Sequence, residues 1–69
     1  MLNSGDQIKI KAGNETINGV VTFNHTGNQK NLVMVKFTYN NTNYCYPFSR
    51  KTGKVYRVRL SFNPVLILN

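Results

Sequence analysis

A chain of 69 residues lies near the lower size at which one domain folds without staples, and its single cysteine, Cys45, rules out an internal disulfide. Nine Lys and Arg face two carboxylates, Asp6 and Glu15, for a formal net charge of +7 and a pI of about 10.0. One cysteine and one histidine cannot assemble a zinc site, and two carboxylates set at separate turns offer no acid–base pair. We therefore expect one non-catalytic domain across residues 1–69, with no metal and no cofactor.

A core of this size supplies only ~3–5 kcal/mol. Self-repulsion of a +7 chain draws on that margin, and an anionic partner relieves it. Nucleic acid is the commonest such partner. Met1 to Ser4 is too short and polar for a signal peptide, and the longest apolar run, residues 65–68, is far too short to span a bilayer. A cytoplasmic setting is expected, in which the three Asn-x-Thr sequons at Asn14, Asn24 and Asn40 follow from an Asn-rich composition. Cys45, in an apolar alternating stretch, reads as a small buried hydrophobe.

In chain order, residues 7–11 alternate cleanly, with Ile8 and Ile10 on one face and Gln7, Lys9 and Lys11 on the other. Residues 12–15 form a turn. Residues 17–23 form a second strand with Ile17, Val21 and Phe23 on one face, and Gly19 there signals a bulge or bend. Residues 25–31, including His25 and Gly27-Asn28, read as a polar turn. Residues 32–39 form the longest strand, with Val33, Val35, Phe37 and Tyr39 inward and a partly covered second face at Leu32 and Met34. Asn40-Asn41-Thr42 is a tight hairpin turn, because Asn tolerates positive φ. Tyr44, Tyr46 and Phe48 share one face of a fourth strand, which Pro47 marks as an edge.

After a turn at residues 49–53, residues 54–62 read as a fifth strand with Tyr56, Val58, Leu60 and Phe62 inward and Val55, Arg57 and Arg59 outward. Asn63-Pro64 ends it. The apolar residues Val65, Leu66, Ile67 and Leu68 need cover, either beside the first strand or from a second subunit in a homo-oligomer. Short strands at this spacing predict an all-β fold, a five-stranded antiparallel SH3-like barrel, or six-stranded if the tail joins. An OB-fold needs a helix for which the chain has no room.

The opening Gly5-Asp6-Gln7-Ile8-Lys9-Ile10, then Gly13, Gly19-Val20-Val21 and Val33-Met34-Val35, resembles the KOW-type SH3-like barrel over residues 5–36. That resemblance implies RNA, ribosomal components or RNA polymerase as partners. The second half, an aromatic strand followed by Arg50-Lys51-Thr52-Gly53-Lys54, looks like small barrel proteins of phages and mobile elements.

Seven cations fall on outward positions or on the turn before the fifth strand: Lys9, Lys11, Arg50, Lys51, Lys54, Arg57 and Arg59. Lys30 and Lys36 stand elsewhere. A clustered set suits phosphate contact, in which each neutralised phosphate releases counterion and little sequence is read. Outward Lys and Arg also guard strand edges against aggregation. Tyr44 and Tyr46 fit either a core or an exposed stacking platform for bases. The sequence thus supports a nucleic-acid-binding barrel, for DNA or RNA alike, or a protein-interaction module docking its basic face on an acidic protein.

Overall fold

Alternation becomes pairing along β1 (Gln7–Ala12), where Ile8, Ile10 and Ala12 are buried and Gln7, Lys9 and Lys11 are exposed. The computed structural model describes residues 3–24 and 31–67. The expected turn at Gly27-Asn28, along with His25, Lys30 and Leu68, lies outside the described residues. Four more strands follow: β2 (Glu15–Asn24), β3 (Leu32–Tyr39), β4 (Thr42–Ser49) and β5 (Val65–Leu66). They form one antiparallel sheet in the order β4-β3-β2-β1-β5, curled into a half-barrel, with no helix among the described residues.

Two-residue loops set the hairpins. Gly13 (φ 59) and Asn14 join β1 to β2, with Ala12 opposite Glu15. Asn40 (φ 51) and Asn41 (φ 63) join β3 to β4, with Tyr39 opposite Thr42, and positive φ at both central positions is the type I′ requirement. The expected irregularity in β2 falls between Val21 and Phe23, just beyond Gly19. There the register slips, and Phe23 pairs with Met34 where Val21 pairs with Val35. Gly19 serves a close approach. A Cβ on it would stand 2.7 Å from Ile10 Cδ1 and 2.8 Å from Val35 Cγ1, so the strand interior has no space for a side chain.

The core is the concave face: Ile8, Ile10, Val21, Val33, Val35, Phe37, Phe48 and Leu66. Phe37 meets Phe48 edge to face at 5.9 Å between centroids. On the second face of β3, Leu32 is buried and Met34 half-buried, as expected. Within the tail, Leu66 finds its cover beside Ile10 and Val65 pairs with Lys11, whereas Ile67 stays exposed.

The two edges of the sheet are then tied together. Val55 bridges to Phe48 of β4 and Lys54 to Val65 of β5. The Ser49 N–H donates to the Lys54 carbonyl (2.8 Å), the Tyr56 N–H to the Pro47 carbonyl (2.9 Å) and the Leu66 N–H to the Gly53 carbonyl (2.8 Å). Gly53 makes this approach feasible: its φ is +78, and an added Cβ would stand 2.8 Å from the Leu66 carbonyl oxygen.

The long fifth strand expected over residues 54–62 does not form. Only Lys54 and Val55 pair, and the chain then leaves the sheet through Arg57 at φ 62. The phase of the alternation also inverts. Val55 lies opposite the buried Phe48 and so packs against the core, whereas Tyr56 and Val58, read as core, are 38% and 40% exposed. Leu60 and Phe62 are half-buried. Cys45 is a second correction. It lies on the outer series of β4 opposite Lys36 and is exposed.

Replacing Gly53 with Ala is expected to cost ~1–3 kcal/mol through positive φ and overpacking. It should also strip hydrogen-exchange protection from the Leu66 N–H. Urea unfolding and amide exchange check this, and unchanged Leu66 protection would contradict the closure described here.

Candidate nucleic-acid interface

The outer face of the sheet places the cations by register. Lys11 pairs with Val65, and Val65 pairs in turn with Lys54, so the three share one outward row across β1, β5 and the closing bridge. At the usual interstrand spacing Lys11 and Lys54 stand about 10 Å apart at their backbones, and Lys9 lies about 7 Å from Lys11 along β1. The Ile67 N–H donates to the Lys9 carbonyl at 2.9 Å, which sets the exposed Ile67 beside Lys9.

Above this row the segment of residues 56–64 arches back to β5 and encloses a groove of about 400 Å³. Lys54 and Arg59 line it, together with Val58, Leu60, Asn63 and Val65. A backbone bond from the Asn63 N–H to the Leu60 carbonyl (3.0 Å), with Asn63 at φ 46, turns the segment toward β5. Four of the sequence-derived cations, Lys9, Lys11, Lys54 and Arg59, therefore occupy one continuous region.

The other three stand at its margins. Ser49 organises the preceding turn: its Oγ accepts from the Lys51 N–H (3.2 Å) and the Thr52 N–H (3.3 Å), and its carbonyl accepts from the Gly53 N–H (2.8 Å). Thr52 Oγ1 accepts from the Lys54 N–H at 3.2 Å. This turn holds Lys51 exposed. Arg50 is half-buried, and its backbone N–H donates to the Asn31 carbonyl at 2.7 Å. Arg57 lies over the ring of Tyr56, 5.2 Å from its centroid.

Neither carboxylate stands in the cation row. Asp6 Oδ2 accepts from the Asn3 N–H at 2.8 Å, the turn-capping use expected of it. Glu15 pairs with Ala12, on the inward series of its hairpin. Lys36, set apart in the sequence reading, lies on the outer face of β3 opposite Val20, which pairs on its far side with Gln7 of β1. Its even position among odd inward residues was the signal for that placement.

Tyr44 and Tyr46 point the other way. Both are half-buried on the concave face and pack against the core. Tyr44 stacks on Phe37 at 5.3 Å, lies 5.3 Å from Phe62 and 6.1 Å from Tyr46, while Phe62 stacks on Tyr39 at 4.3 Å. The aromatic ring exposed next to the cations is Tyr56, which sequence reasoning assigned to the core.

Among the described residues no cluster of three or more His, Cys, Asp or Glu could hold a metal ion, and no helix is long and apolar enough to cross a membrane. No family model, no curated protein and no solved structure matches this chain.

Tyr44→Ala is expected to lower stability by roughly 2 kcal/mol, less than the ~3–5 typical of a fully buried Phe→Ala. Chemical denaturation measures it. A loss within error of zero would return Tyr44 to the exposed-platform reading.

Proposed function

We propose that this chain is a small non-enzymatic nucleic-acid-binding barrel of the cytoplasm that grips phosphate backbone with little sequence preference. The observation that carries the reading is the outward row of Lys11, Val65 and Lys54, extended by Lys9 and by Arg59 in the adjoining groove. Two carboxylates cannot neutralise nine cations, and both lie off this row. The sheet sets the backbone spacing of the lysines, and counterion release outweighs the rotamer freedom their exposed side chains lose when phosphates dock. The likeness of residues 5–36 to KOW-type barrels and of the second half to phage and mobile-element barrels agrees with this class of partner. Arg50, Lys51 and Arg57 extend the field at its margin, whereas Tyr44 and Tyr46 act chiefly by shaping the barrel wall.

An acidic protein docked on the same basic face is the second reading, favoured by the apolar surface of Val58 and Ile67 exposed beside Arg59 and Lys9. A pull-down that survives nuclease treatment distinguishes this reading.

Titration of duplex DNA, single-stranded DNA and RNA over a salt series tests the proposal. About four phosphate contacts predict that log K falls with log[salt] at a slope of roughly −3 to −4. Lys11→Glu with Lys54→Glu should weaken binding uniformly across sequences and flatten the slope by about one per lost contact. Binding that ignores salt, or its absence at low salt, refutes the reading.

A further inference from the structure

The groove beside the cation row is not lined by charge alone. Its walls carry Val58 and Leu60 from the arching segment and Val65 from β5, while Lys54 and Arg59 provide the positive groups and Asn63 an amide. Val58 is 40% exposed and Ile67, further along the outer side of β5, is 36% exposed, so this region concentrates apolar surface that none of the described residues covers. A duplex offers such a groove phosphate, sugar and base edges but no free ring face, because its bases are stacked on one another. A single strand offers a flat apolar ring and an anionic phosphate in the same unit.

We infer that the groove seats one unpaired base of a single-stranded nucleic acid, with the ring against Val58, Leu60 and Val65 and the neighbouring phosphate on Lys54 and Arg59. The strand then continues along Lys11 and Lys9 on the outer face of β1. The cavity volume of about 400 Å³ falls within the range of small-ligand pockets and accommodates one nucleotide. Charge complementarity commits the site to an anion. The apolar walls next to those charges select a ring-bearing anion over a carboxylate peptide. In the same segment, Tyr56 and Arg57 form an exposed stack on which a further base can lie. This inference rests on the phosphate-binding reading and adds base recognition to it.

The experiment compares four probes by fluorescence anisotropy at one moderate salt concentration: an oligothymidylate, an abasic oligomer of equal length and charge, a duplex with the same number of phosphates, and polyglutamate. Oligothymidylate should bind at least about tenfold tighter than the abasic strand and the duplex, in line with the usual strength of base stacking. Val58 lies outside the sheet and is 40% exposed, so Val58→Ser leaves the strand pairing and the concave core in place. The substitution should abolish most of that advantage while leaving abasic and duplex binding unchanged. Equal affinity for the abasic strand or the duplex overturns base seating but leaves phosphate binding standing. An undiminished preference for oligothymidylate in the Val58→Ser protein removes the base from this groove. Displacement of oligothymidylate by polyglutamate of equal charge overturns the inference in favour of an acidic protein, and no binding by any probe removes both readings.

Discussion

The closed sheet and its outward cation row depend on one short junction, where Gly53, Lys54 and Val55 pass between β4 and β5. Four strands and a two-residue tail leave a curled sheet with two distant edges. The junction joins them through a few backbone hydrogen bonds, and the absence of a side chain at Gly53 lets the Leu66 carbonyl come close enough. Phe48 and Leu66 are buried because Val55 and β5 cover the opening. The same junction orients Lys54 outward by one residue of alternation, which is what puts it in line with Lys11. A stability element and a charge-placement element are here the same three residues.

The barrel separates its resources by face. Rings gather on the concave side, where Phe37, Tyr39, Tyr44 and Phe62 pack in contact and compensate for a small aliphatic core. Lysines gather on the convex side, where outward positions of β1 and β3 and the closing bridge supply them. The segment of residues 56–64 belongs to no strand and mixes apolar and cationic side chains without alternation, so Val58 and Arg59 line one groove and Arg57 lies over Tyr56.

Much of this was legible in the chain itself. β1, β3 and the Asn40-Asn41 turn carry local patterns strong enough to specify strand, face and turn type, since period-two alternation and positive-φ residues act over a few positions. The cation row was half legible: Lys9 and Lys11 alternate visibly, but their alignment with Lys54 depends on the pairing of Val65, a contact remote in sequence. The residues after Lys54 misled because alternation alone does not fix its phase. Phe48 on the neighbouring strand fixes it, and the partner was not visible from residues 54–62. Cys45 was misread for a related cause, since a strand with rings on one face leaves the intervening residue to solvent.

The pairing of Ile10 with Leu66 joins β1 to the last strand described in the chain. Loop-closure entropy makes such contacts late ones, so the three consecutive hairpin pairings of β1 to β4 are expected to assemble before the ring shuts. Until β5 docks, the chain therefore holds an open, positively charged sheet. The β1 edge that waits for β5 carries the exposed Lys9 and Lys11, and charged side chains on an open edge disfavour pairing with another chain.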